Sequence, residues 1–516
     1  MTARLWKFLI FASLLTMILL TGCLSDYSES SRFAKPLAFK ISGSSAATRN
    51  YAVIIQNSLK AVGVPVEIET VEFNTLLDQL RQGQYQMTTS RWVGGNQDPI
   101  FLKDLFATGA PFNRGRYSNP ELDKILNEAV STVDRNRARE LYVQAQELIS
   151  REVPMLPLWY PDNMVISRKT VGNIKLDPSG DFIFLSKATT AKPTEPFVVT
   201  LESPPETLDA LRGTDASSER LRQLMHSSLV RKNESFDFVG DMAEFQRAED
   251  GLSYTFTLKE GVKFHNGSPV TAKDVKYSLD TLLASDSRKA TPFFEGTGDK
   301  RQPYVAGVDV PNPRTVIIRL TQPWLQLLTN LLPMPIIPEG SAAAQRENPV
   351  GCGPFKFVSY NKAQQVLELA ANESYWNGAP QIKRMRVRII ADANTLQAEF
   401  KSGRIDLASA LSNLSPDAFK TLGDDPNLKV EQFPGANIVY LGFNAESESL
   451  KDARVRQAIA YAIDREAIVR DLLLGQGRVA HSILPESSWA YSPGQKYTYD
   501  PARAQQLLEE AGYAKK

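Results

Sequence analysis

The chain has 516 residues, enough for two or three domains with ample buried core. A hydrophobic fraction of 42% and a charged fraction of 23% are ordinary for a globular protein, and a formal net charge of +1 gives no field to gather nucleic acid. Two cysteines exclude a disulfide framework, and the three histidines, His226, His265 and His481, stand in no metal-ligand motif. GxSxG elbow, CxxC pair and P-loop are all absent, so hydrolase, redox and nucleotide chemistry have no starting point and no cofactor is expected.

In chain order, Arg4 and Lys7 precede an apolar run, 8–20, that ends in Leu20-Thr21-Gly22-Cys23. A basic start, a short apolar stretch and small residues before a cut predict a secretory signal over 1–22. The run is short for a membrane span, the alternative reading. Its last four residues resemble a bacterial lipobox, which implies lipid on the Cys23 thiol. Each buried methylene contributes about 0.8 kcal/mol to such an anchor. Cys352 then lacks a disulfide partner and reads as a small buried thiol. Residues 23–36, serine-rich and mixed in charge, are expected to form a tether.

From Leu37 the pattern is α/β. Leu37, Phe39 and Ile41 alternate as a strand. A helix is predicted from about Arg49, with Tyr51, Ile54, Ile55, Leu59 and Val62 on one stripe and Gly63 as its stop. Val64, Val66 and Ile68 alternate with Glu67 and Glu69 as a second strand. Asn74 is expected to cap a short helix ending at Gly83, before a third strand over 85–92. This is a βαβ-type arrangement. Asn119-Pro120 and Asp134 each open an amphipathic helix, and an apolar strand follows Pro154. Further on, Tyr254, Phe256 and Leu258 alternate as a strand, and Asn266-Gly267 marks a tight turn. Thr271, with Asp274 three residues later, opens a helix whose stripe is Val275, Leu279 and Leu282. Asp500 and Pro501 open the last helix. Trp324, Trp376 and Trp489 read as packing residues, and the basic run 383–388 as the solvated face of a strand.

The stretch GVKFHNGSPVTAKDV, between that strand and that helix, strongly resembles the signature of the peptide/nickel class (family 5) of ABC-transporter solute-binding proteins. The resemblance implies a periplasmic-binding-protein-like α/β fold: two large lobes joined by a hinge, with a smaller inserted domain. The order of segments departs from the family's. GQYQMTTSRWVGGNQDPIFLKDLF, YSNPELDKIL and VPMLPLW belong near the family's C-terminal end but come first here. SPPETLDAL, the signature, NPVGCGPFKF and SGRIDLA follow them. The chain therefore reads as a circular permutant joined near 187–196, with a fusion of two gene fragments as the rival. The implied domains are a first lobe from 166–235 with 346–445, an inserted subdomain over 236–345, and a closing lobe from 37–165 with 446–516. Permutation is tolerated where termini lie close together.

Trp92-Val93-Gly94-Gly95-Asn96-Gln97-Asp98 is similar to the family's cleft-lining loop. There an aspartate three residues after the tryptophan pairs with the ammonium of bound peptides; here that position is Gly95. Leaving a buried ammonium unpaired costs about 3–5 kcal/mol. Asp98 is the candidate substitute, with Asn96 beside it. Arg49 lies where some dipeptide-binding relatives place a carboxylate-binding arginine, a role its fork suits; it reads equally well as an exposed helix-start residue. Gly351-Cys352-Gly353-Pro354 resembles the family's hinge-side turn. Of Asn437, Tyr440 and Asn444, one is expected to meet ligand and the others to pack.

The resemblance thus implies a monomeric, lipid-anchored receptor in the periplasm or at the cell surface. It would bind a small solute, peptide first, and deliver it to an ABC permease, with no catalysis, metal or nucleic acid. Sugars and nickel complexes are alternative solutes. A lipoprotein sensor or chaperone, or a periplasmic enzyme, are the readings from other classes.

Overall fold

The computed structural model describes residues 33–43, 46–94, 97–132, 134–295, 301–409 and 414–513. Its first large sheet has six strands in the order Val66–Val71, Leu37–Ser42, Met87–Trp92, Ile438–Phe443, Met155–Pro161, Gly477–Val479. The first three are parallel, and the rest run antiparallel to their neighbours. Leu37, Phe39 and Ile41 point into the core, as their alternation requires. That core mixes the two ends of the chain: Phe39, Ile55 and Met87 pack with Leu441, Ile459 and Leu507. Phe33 stacks on Tyr513 with ring centroids 4.3 Å apart, so the described ends of the chain touch. Phe33 is buried, which shortens the tether expected over 23–36.

Two buried arginines tie this closing lobe together. Arg456 donates to the carbonyls of Glu152 and Val153 on one side and of Leu450 and Lys451 on the other. Arg465 donates to the carbonyls of Pro157, Ala480 and Tyr497. Each converts the hydrogen-bonding needs of loop carbonyls into a link between distant segments.

The second sheet has seven strands: Phe355–Asn361, Val366–Ala371, Arg384–Ile389, Pro196–Leu201, Leu407–Ser409, Asn163–Arg168, Leu428–Phe433. Its basic strand pairs outward, Arg386 with Glu368 and Arg388 with Glu399, as a solvated face should. Between these strands in the chain lies the inserted subdomain, an antiparallel sheet ordered Ala243–Arg247, Ser253–Leu258, Thr315–Leu320, Val305–Asn312. Phe256, Val275, Leu279 and Ile318 are fully buried between that sheet and the helix Ala272–Leu283. The helix starts at the expected capping box, the Asp274 carboxylate accepting from Thr271 N–H at 2.8 Å.

The structure corrects several local expectations. The first helix starts earlier than Arg49, at Ala46. The short helix Phe73–Arg81 is capped by Glu72, not Asn74, because the Glu72 carboxylate accepts from Thr75 N–H at 3.0 Å. The chain crosses between the large sheets at Asp162 and at 434–437, moving the lobe boundaries expected at 165/166 and 445/446. Each crossing strand begins pairing in its new sheet immediately, so the change of lobe takes only a few residues.

Candidate ligand-binding cleft

The two crossings lie side by side and form a hinge. Gly435 is pressed against the other crossing: a Cβ there would sit 2.0 Å from the Pro161 carbonyl oxygen, so only glycine fits. Arg478 fastens both, its Nε 3.1 Å from Asp162 Oδ1 and its Nη2 donating to the Gly435 carbonyl at 2.8 Å. Gln432 also donates to Asp162, at 2.6 Å. Beside the hinge a cavity of about 660 Å³ opens between the lobes, lined among others by Pro178, Glu234, Phe433 and Arg478. That volume suits a small solute.

The carboxyl ends of the parallel strands, at Ser42, Val71 and Trp92, share one edge of the closing lobe, the edge where open α/β sheets place ligands. Trp92 is the centre of an aromatic cluster at that edge. Tyr440 stacks on it at 5.8 Å and 13°, and Phe101 and Phe112 meet it edge-on at 5.2 and 5.5 Å. The Arg114 guanidinium lies over the same indole, 5.3 Å from its centroid, in a cation–π contact. Burial pushes the Tyr440 phenol up to about 12, so it stays neutral.

Across the cleft, Lys232 sits over the rings of Phe238 and Phe236, at 5.2 and 5.8 Å. Desolvation lowers its pKa, opposed by the fields of Asp98 and Asp181. Two contacts link the faces directly. Thr329 Oγ1, on the inserted subdomain, donates to Asp98 Oδ2 at 2.7 Å. Arg135 of the closing lobe pairs with Asp237. Two adjacent crossings, a facing pair of lobes and an aromatic edge make up the candidate site.

The sequence model of the bacterial extracellular solute-binding proteins, family 5 (middle region), matches residues 24–114 and 237–516. The chain belongs to this family. Among relatives, heme-binding protein A of Haemophilus influenzae is 32% identical over 317 residues, 56% of this chain and 57% of that protein. Oligopeptide-binding protein AppA of Bacillus subtilis is 31% identical over 327 residues, 60% and 58% of the two chains. The structure of HbpA2 from Haemophilus parasuis aligns with a TM-score of 0.52 at 26% identity, covering 62% of this chain and 67% of that one. The chain spans a little over half the length of the curated relatives it matches.

The family-5 resemblance singled out residues that the fold treats differently. Trp92 and Tyr440 come together at the cleft edge, and the Asn437 side chain accepts from Gly94 N–H at 3.2 Å, holding the start of the tryptophan loop. Asp98 is at the cleft, but its carboxylate is occupied by Thr329 and by Ile100 N–H at 3.1 Å. Asn444 packs: its amide donates to the carbonyls of Gly83 and Tyr85, both at 2.9 Å, and it is buried behind the sheet. Arg49 is exposed and bonds Thr70 Oγ1 at 3.3 Å, two strands from Trp92. Gly95, Asn96 and Cys23 lie outside the described residues.

Cys352 is fully buried and its thiol is pushed up to about 12 by desolvation, so it is inert. The glycines beside it serve close packing, since a Cβ on Gly351 would lie 2.2 Å from the Met225 carbonyl oxygen. His265 is held in its turn by Gly351 N–H at 3.3 Å and the Gly353 carbonyl at 3.1 Å. Among the described residues no His, Cys, Asp and Glu group could hold a metal ion, and no helix is long and apolar enough to cross a membrane. Arg114, Phe101, Phe112, Lys232 and Thr329 escaped the sequence reading. Nothing in FNRGRY separates a cleft arginine from an ordinary loop cation until the fold brings it over Trp92.

Proposed function

We propose that the protein is an extracytoplasmic solute receptor that closes its two lobes on a small ligand and hands it to an ABC import permease. Family membership is the observation that carries this reading. The paired crossings at Asp162 and 434–437 support it, because a two-strand hinge permits rigid-body closure with little change elsewhere. Peptide is the leading solute class, in line with the named specificity of AppA. A non-peptide solute is the second reading, favoured by Gly95 at the position of the family's ammonium-pairing aspartate and by the name of the heme-binding relative. Lipid on Cys23, removal of 1–22 and a monomeric state belong to the same proposal. So does circular permutation, supported by the contact of Phe33 with Tyr513 and by a sheet that pairs strands from both halves of the chain.

Native mass spectrometry of the chain from Leu24, purified without refolding, tests the reading. A discrete adduct released on denaturation identifies the ligand. A mass equal to apoprotein, unchanged by a peptide library, removes peptide and turns attention to metal chelates and sugars.

A further inference from the structure

The hairpin of Val230–Lys232 and Phe238–Gly240 is a two-stranded sheet of its own, and its tip reaches across the cleft to the closing lobe. The tip is locked. The Asn233 side chain accepts from Ser235 N–H and Asp237 N–H, both at 2.9 Å, and Asn233 N–H donates to the Asp237 carbonyl at 2.9 Å. A turn closed by its own asparagine fixes the backbone that carries Asp237. Phe236 is buried, the Lys232 ammonium lies over it and over Phe238, and Phe238 packs on the core of the inserted subdomain. The tip therefore moves with the side of the cleft that bears it.

Its partner is equally well placed. Arg135 opens the helix Arg135–Glu152, and its guanidinium lies over the Trp489 indole, 4.7 Å from the centroid. Trp489 is held on that helix, edge-on to Tyr142 at 5.9 Å, with its carbonyl accepting from Arg139 Nε at 3.1 Å. A cation at a helix N-terminus gains nothing from the helix dipole. Among the described residues, the only carboxylate in ion-pair contact with Arg135 is Asp237, on the other side of the cleft. Each half is held ready by its own lobe, and the two meet only where the lobes meet. The pair also stands beside the hinge-side cavity. Glu234 of the hairpin tip and Glu486 and Ser487 of the closing lobe line that cavity, and Asp237 and Trp489 follow them closely in the chain.

We propose that this hairpin is the latch of the closed cleft: Asp237 engages Arg135 as the lobes come together, and the same tip brings Glu234 into the wall of the hinge-side cavity. The latch presupposes the lobe closure of the solute-receptor reading. The two side chains of the pair are 56% and 25% exposed, so salt screens it and closure comes to depend on ionic strength. The other contact across the cleft, Thr329 with Asp98, has a neutral hydroxyl donor and depends far less on salt.

The test uses the full chain, purified in detergent, with dyes on Glu121→Cys and Lys420→Cys, both exposed positions. Single-molecule energy transfer reports the closed-to-open ratio, and sodium chloride is the only titrant. Raising the salt from about 20 mM to about 500 mM should lower the ratio about two- to fivefold. Asp237→Asn should start low and show no salt slope. Arg135→Glu should open the cleft further. Combining it with Asp237→Arg should recover the ratio and its slope, a rescue that damage to folding would not give. Thr329→Val should lower the ratio but keep the slope. Two populations whose ratio ignores both salt and Asp237→Asn would overturn the latch and leave closure intact. A single distance in every condition and variant would overturn closure and the latch with it. A chain that captures no solute in native mass spectrometry, yet shows the slope and the rescue, would sink the receptor reading and leave the latch standing.

Discussion

The inserted subdomain and the closing lobe are of the same basic make, a sheet covered by helices, yet they are assembled in opposite ways. The subdomain is continuous: the strand Ser253–Leu258 pairs with Ala243–Arg247 and Thr315–Leu320, all within one stretch of chain. In the closing lobe Trp92 pairs with Ile438, and the helix Pro501–Glu510 covers a core that begins at Phe33. Local pairing closes short loops, whereas the closing lobe must bring distant segments together before any contact rewards it. The protein therefore combines a locally paired unit with one whose integrity depends on the whole chain.

That contrast is open to test. The largest effect is expected from Phe256→Ala, which empties a fully buried site in the subdomain and should cost about 3–5 kcal/mol. Hydrogen exchange should rise across 243–320 while the strands at 37–42 and 87–92 keep their protection. Arg456→Met should cost about 2–3 kcal/mol by stranding the buried carbonyls of Val153 and Leu450 and releasing the half-buried ones of Glu152 and Lys451. Here loss of protection should appear at both ends of the chain together, in 37–42 and in 501–510. Should either variant unfold both regions in one step, the two units are not separable.

The contact between them is weaker. Thr329→Val removes the hydroxyl that reaches Asp98 across the cleft and should shift the open–closed balance by about 1 kcal/mol. A larger radius of gyration by small-angle scattering, with an unchanged thermal midpoint, is the expected signature.

Acid should separate the two regions by sign. Desolvation raises Asp104 of the closing lobe to about 6 and lowers His265 of the subdomain to about 4. A carboxyl whose folded pKa is raised contributes stability fully present below its unfolded pKa and lost as pH rises through 6. A histidine whose folded pKa is lowered contributes stability present above about 6.5 and lost as pH falls toward 4. Acidification from pH 7 to 5 should thus raise protection around 101–106 and reduce it around 262–270, after correction for intrinsic exchange rates. Asp104→Asn and His265→Gln should each flatten its own slope.

The same contrast explains how much the sequence revealed. Local features were legible: the Thr271 capping box, the helices at Asn119 and Asp134, the alternation of Leu37, Phe39 and Ile41, and the signature hairpin all depend on neighbours in the chain. The cleft was legible only in part. Trp92 could be picked out by resemblance and Tyr440 by its place on the strand entering the closing lobe, and the two stack. Arg114, Lys232 and Thr329 could not, because their significance comes from what stands opposite them across hundreds of residues. Asn444 is one of the three strand residues that packs. A polar side chain at the end of a cleft strand suggests a ligand contact, but two loop carbonyls consume it. Glu72 displaced Asn74 as a helix cap for a similarly local reason: the helix starts at Phe73, and the Glu72 carboxylate reaches forward to the free Thr75 N–H.

The central claim, closure of two lobes about the crossings at Asp162 and 434–437, is tested most directly by a distance across the cleft. Dyes on the exposed residues Glu121 and Lys420, in the closing and first lobes, would report it by single-molecule energy transfer. The expected result is a shift toward a shorter distance on adding the solute identified by native mass spectrometry, at a concentration that saturates binding. A distance distribution unchanged by saturating solute would contradict closure and leave a rigid binding surface in its place.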